Sequence, residues 1–89
     1  MVEREVQVVN RLGLHARAAV KLVQLLGTFR SQVMLCARGR EVNGKSIMGV
    51  MLLAAAQGST VLIRAEGPDE QAALDAACDL FARCFDEGG

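Results

Sequence analysis

The chain has 89 residues, of which 52% are hydrophobic, and its ten acidic side chains balance ten basic ones. That length suits one domain over 1–89 with a modest core, and that apolar content excludes a disordered segment. Zero formal charge, no Trp or Tyr and only three Phe argue against a nucleic-acid binder, which needs basic excess and stacking rings.

Glu5 to Asn10, with three valines in six residues, reads as a first strand. Arg11 to Leu14 forms a loop around Gly13. Ala16 to Leu26 reads as a helix, with Ala19, Leu22, Val23 and Leu26 on one buried face and Gly27 as the stop. Gln32 to Ala37 is a second strand, and Arg38-Gly39 turns into a short third strand at Glu41-Val42. Asn43-Gly44 is a turn signal. A second helix is predicted over 47–56, capped by Ser46 and ended by Gln57-Gly58. Thr60 to Ala65 alternates as a fourth strand. Gly67-Pro68-Asp69-Glu70 opens a third helix, with proline and two acids in its first turn. Leu74, Ala77, Cys78, Phe81 and Phe85 form its apolar stripe to about Phe85, and Asp86 to Gly89 reads as a frayed tail. The order β-α-β-β-α-β-α predicts an α+β two-layer sandwich: a four-stranded antiparallel sheet with helices on one face and the other face open.

Cys36, Cys78 and Cys84 are odd in number and lack a C-x-x-C spacing. They read as reduced, mostly buried thiols in a reducing cytoplasm, with no metal site. Met1-Val2-Glu3-Arg4-Glu5 has no apolar signal-peptide core, and Val50 to Ala56 is too short to cross a membrane.

Three features carry chemistry. His15 is the sole histidine, within Gly13-Leu14-His15-Ala16-Arg17. A lone histidine is commonly a surface or capping residue, and an arginine on a helix is commonly a solvated one. Here the imidazole stands at a loop-to-helix junction, where backbone N–H groups and the helix dipole attract anions. The Arg17 guanidinium, two residues on, suits a phosphoryl group. The pair therefore points to phosphoryl chemistry, with the Ala16 and Arg17 backbone as the phosphate cradle. No carboxylate, serine or cysteine accompanies His15 in sequence, so a hydrolase triad is unsupported. Ser46 reads locally as an ordinary cap; a phosphate there would also be tolerated by the helix N-terminus. Ile47 to Ala56 has no polar face. Val50, Leu53 and Ala54 suit the core, leaving Met48, Met51 and Leu52 on the other side. That side is either covered by a loop or second subunit, or is a partner surface, for which methionines are well suited.

Gly13-Leu14-His15-Ala16-Arg17 and Asn43-Gly44-Lys45-Ser46-Ile47-Met48-Gly49-Val50-Met51 together resemble HPr, the histidine-containing phosphocarrier family of the bacterial sugar phosphotransferase system. The resemblance spans essentially the whole chain, including Gln57-Gly58 and Glu66 to Glu70. It implies an open-faced β-sandwich with sheet order 1-4-2-3. It implies a non-enzymatic carrier whose His15 takes a phosphoryl group on Nδ1 from enzyme I, originating in phosphoenolpyruvate, and passes it to an enzyme II A-type component. Arg17 would stabilise the transferring group. Ile47, Met48 and Met51 would contact partners, and Ser46 would be a regulatory site for an HPr kinase/phosphorylase. A cytoplasmic monomer is expected, with no cofactor beyond the covalent phosphohistidine. The alternative is a regulatory interaction module acting mainly through Ser46. Two positions depart from the family: Ala18 stands where proline is usual, and Leu12 where a small polar residue often helps orient the imidazole.

Overall fold

A computed structural model describes residues 1–87. Its elements are β1 (Val2–Gln7), α1 (Ala16–Leu26), β2 (Gln32–Ala37), β3 (Arg40–Asn43), α2 (Ile47–Leu53), β4 (Thr60–Glu66) and α3 (Glu70–Ala82), followed by a one-turn segment at Cys84–Asp86. The four strands form one sheet in the order β1-β4-β2-β3, and each neighbouring pair is antiparallel. This is the sheet order expected from the resemblance.

Alternation along the central strands sets the layers. Val33, Leu35 and Ala37 of β2 and Val61, Ile63 and Ala65 of β4 are buried beneath the helices. Their alternate neighbours face outward, where Arg64 pairs with Glu3 and Glu41 across the open sheet face. From the helical side come Ala18, Ala19, Leu22 and Leu26 of α1, Val50 and Leu53 of α2, and Leu74, Ala77 and Phe81 of α3. Val23 and Cys78, placed by periodicity on buried faces, are only partly buried.

The boundaries of several elements differ from the sequence reading, each for a physical reason. β1 begins and ends three residues earlier than Glu5 to Asn10. Its ladder with β4 runs from Val2↔Ala65 to Gln7↔Thr60, so pairing rather than valine content fixes the strand. Val8 closes the ladder by donating to the Ser59 carbonyl and accepting from Gly58 N–H. α2 stops at Leu53 instead of reaching Ala56, because Ala54 turns left-handed at φ +52°. Ala54 is consequently exposed, not core, and Ala55 is buried in its place.

Pro68 and Asp69 precede α3 rather than lying inside its first turn. The Asp69 carboxylate does not cap the helix. It accepts from the backbone N–H of Arg30 and from both N–H and hydroxyl of Ser31. α3 ends at Ala82, and Phe85 is buried from the following turn instead of from the helix. The cysteines are free, as expected, but half-buried rather than mostly buried. Cys36, for example, faces outward on the open sheet.

Candidate functional site

The loop before α1 is built to a tight tolerance. Asn10, wholly buried, donates from Nδ2 to the Gly13 carbonyl at 2.7 Å. Gly13 has φ +66°, and a Cβ there would stand 2.5 Å from the Ala55 carbonyl oxygen. Only glycine fits both the conformation and the approach. Leu14 is buried, and its N–H donates to that same Ala55 carbonyl at 2.9 Å. The left-handed break at Ala54 thus frees a carbonyl that holds the chain entering α1, and the exit of α2 is tied to the His15 loop.

His15 is the N-cap residue of the 11-residue α1, extended at φ −77° and ψ 178°. The first intrahelical bond runs from Ala19 N–H to the His15 carbonyl. The N–H groups of Ala16, Arg17 and Ala18 precede it and lack helical acceptors. The imidazole is partly exposed and does not itself cap the helix. It borders an open depression of about 850 Å³ shared with Arg11, Arg17, Lys21 and Glu87. Arg17 is exposed and, among the described residues, makes no ion pair or side-chain hydrogen bond. Its guanidinium is free for an incoming anion. Ala18 is fully buried in an α1 that starts where it was predicted to start, without proline.

The polar partner of the imidazole was not foreseen. Glu87, 72 residues away, places its carboxylate against His15 Nε2, in hydrogen-bond contact with the ring. Its Oε1 accepts from Asn10 Nδ2 at 3.0 Å. The stretch Asp86 to Gly89, read as a frayed tail, is therefore anchored as far as Glu87; residues 88–89 lie outside the described residues. Asp86 is exposed and accepts from Arg83 Nε. Leu12, 67% exposed, offers the ring no polar contact.

The second cluster lies on α2. Ser46 Oγ accepts from Gly49 N–H at 3.1 Å, as an N-cap should. Ile47, Met48, Met51 and Leu52 are all exposed, Met48 most fully at 70%. Among the described residues, no other part of the chain covers the side of α2 away from Val50 and Leu53. No three His, Cys, Asp or Glu side chains gather into a metal-holding group among the described residues. No helix among them is long and apolar enough to cross a membrane.

A small open-faced sandwich presents one imidazole at a helix start, beside a guanidinium with no partner among the described residues, an arrangement suited to holding a phosphoryl group. Comparison with known proteins agrees. The family model described as "PTS HPr component phosphorylation site" matches residues 2–83. Phosphocarrier protein HPr of Cupriavidus necator is 56% identical over 88 residues, covering 99% of each chain. That of Xylella fastidiosa is 54% identical over 87 residues, covering 98% of each. The crystal structure of an HPr from Thermoanaerobacter tengcongensis superposes with a TM-score of 0.94 at 42% identity, covering 98% of both chains. The chain belongs to the HPr family of phosphocarrier proteins of the bacterial phosphotransferase system.

Proposed function

We propose that phosphate is carried on His15 Nδ1, received from phosphorylated enzyme I and delivered to an A-type enzyme II component. The observation that carries this reading is the only imidazole of the chain at the start of α1, two residues before Arg17, which has no partner among the described residues. In the forward step the Nδ1 lone pair attacks the phosphorus held by the donor. An N–P bond forms on His15 as the donor's bond to phosphorus breaks, and the departing electron pair returns to the donor. Arg17 and the N–H groups of Ala16 and Arg17 stabilise the phosphoryl oxygens. Phosphoryl transfer needs positioning and charge stabilisation above all, and these groups supply both. The group travels as a covalent phosphohistidine, so no separate cofactor is required.

Ile47, Met48 and Met51 form the docking surface for these partners. Ser46, at the edge of that surface, is the site at which an HPr kinase/phosphorylase would regulate docking. The reading implies a cytoplasmic protein that works as a monomer.

The test is incubation with phosphoenolpyruvate and enzyme I. Label is expected on His15 alone, stable to base and lost in acid, as a phosphoramidate is. His15→Ala with normal labelling would sink the proposal. Arg17→Ala is expected to fold normally and transfer about tenfold or more slowly. Wild-type rates in that variant would return Arg17 to the status of a solvated helix residue. A protein that is never labelled, yet binds partners according to the state of Ser46, would be a regulatory module instead.

A further inference from the structure

We propose that Glu87 is a positioning residue for the carrier chemistry: its carboxylate holds the proton on His15 Nε2, reserves Nδ1 as the nucleophile and balances the charge of the phosphorylated ring. The proposal rests on the His15 reading above and extends it to a residue at the far end of the chain.

The first observation is the contact itself. A carboxylate only accepts hydrogen bonds, so the ring nitrogen facing Glu87 carries a proton. In the neutral ring this leaves Nδ1 with its lone pair free. After attack, Nδ1 bears the phosphoryl group while Nε2 keeps its proton, so the ring becomes a cation. The Glu87 carboxylate stands beside that cation. When the group moves on, the N–P electron pair returns to Nδ1 and the ring leaves neutral, again held by Glu87. The same contact therefore serves both directions of transfer, with no net proton exchange.

The second observation is that Glu87 is held from several sides. Its other oxygen accepts from Asn10, a wholly buried side chain that spends its amide protons on Glu87 and on the Gly13 carbonyl. Asn10 Oδ1 has no partner among the described residues. The amide orientation is thus set by what Nδ2 holds. The chain reaches Glu87 through three successive left-handed residues, none of them glycine: Cys84 at φ +57°, Phe85 at +54° and Asp86 at +61°. Left-handed backbone is unfavourable for residues with a Cβ. It persists where the surroundings over-determine it. Here Phe85 is fully buried, edge-on to Phe81, and its carbonyl accepts from Lys21 Nζ at 2.5 Å. Lys21 lies on α1, the helix whose N-cap position His15 occupies. The turn is pinned to the element it serves, and what it delivers is the carboxylate on the imidazole.

The experiment compares wild type, Glu87→Ala and Glu87→Gln, each first shown to keep its far-UV circular dichroism. Imidazole ¹⁵N and ¹H NMR reads the contact directly. In wild type the Nε2–H proton should be visible and protected from exchange with water; in Glu87→Ala that signal should vanish. Stopped transfers from phosphorylated enzyme I, and back to it, should slow roughly tenfold in Glu87→Ala, the scale expected for a hydrogen bond to a charged group. Glu87→Gln keeps an acceptor without the charge and should fall between the two. Wild-type transfer rates and an unchanged Nε2–H signal in Glu87→Ala would overturn the proposal. The two readings fail separately: an unlabelled wild-type protein defeats the carrier assignment of His15, while the NMR signal still decides whether Glu87 holds the ring.

Discussion

At the scale of single residues, Asp69 shows how a polar side chain can join distant parts of the chain. Its carboxyl is lowered from its ordinary value to about 2, first by the hydrogen bond from the Ser31 hydroxyl and then by that from the Arg30 backbone N–H. Asp69 N–H in turn donates to Ser31 Oγ at 3.1 Å. Gly67, at φ +148°, must also lie here, because a Cβ would meet Ser31 at 2.6 Å. A depressed carboxyl contributes stability that is present above its unfolded-state value and fades as pH falls through the folded value. Asp69→Asn should therefore lower the melting temperature at pH 7. The gap to wild type should narrow from about pH 5 downward and close only below the folded value of about 2. A gap that stays constant across that range would show that the ionised form contributes nothing. Neither this link nor the Glu87 contact was legible in the sequence, since each spans dozens of residues. Asp69 read as a first-turn helix acid, and Glu87 as part of a polar tail. The placement of His15 and Arg17 at the start of α1 was legible, because it depends on local helix pattern alone.

At the scale of elements, α2 is the informative case. It is seven residues long and too short to be stable alone. Its ends are tied down instead. Ser46 caps the start, worth about 1 kcal/mol in comparable helices. Arg40 from β3 donates to the Leu52 carbonyl at 2.9 Å, placing a cation at the negative end. Val50 and Leu53 fasten one side to the core, so the exposed residues add little to stability. Met48→Glu should accordingly move folding stability by no more than about 0.5 kcal/mol. It should still weaken binding to enzyme I and to the enzyme II component, measurable by titration calorimetry. A large drop in melting temperature, or unchanged binding, would remove Met48 from the docking surface. The sequence was most reliable where periodicity spans several turns, as in α1, which has the predicted bounds. It was least reliable where backbone turns left-handed without glycine. Ala54 and Cys84 to Asp86 carry no compositional sign of a break, because tertiary contacts impose it. The first strand was displaced for a related reason: its ends are set by register against β4, some 60 residues away, not by its own valines.

At the scale of the whole molecule, the His15 loop and the exit of the helix bearing the apolar patch are in direct contact. Ala55 accepts from Leu14 N–H and packs against Gly13, so the exit of α2 and the start of α1 meet at one corner. With zero formal net charge the protein has no net monopole to steer partners, so local charge at that corner weighs heavily. Phosphate on Ser46 would bring about −1.5 to −2 charges to the edge of the patch. The cations nearest in sequence are already engaged. Lys45 Nζ donates to the Phe29 carbonyl at 2.7 Å, and Arg40 serves the opposite end of α2. A docking partner must then desolvate the new anion or meet it with like charge, and both oppose binding. The helix should survive, because aspartate and phosphate are as acceptable at its N-terminus as serine. Ser46→Asp is therefore expected to keep the far-UV circular dichroism and melting temperature of wild type while slowing phosphorylation of His15 by enzyme I. The slowing should be smaller than for true phosphoserine, since aspartate brings one charge and fewer acceptor oxygens. Stopped-flow transfer from phosphorylated enzyme I, run on both forms, checks this. Wild-type rates for the aspartate variant and the phosphoserine protein alike would leave Ser46 a helix cap with no influence on the carrier site.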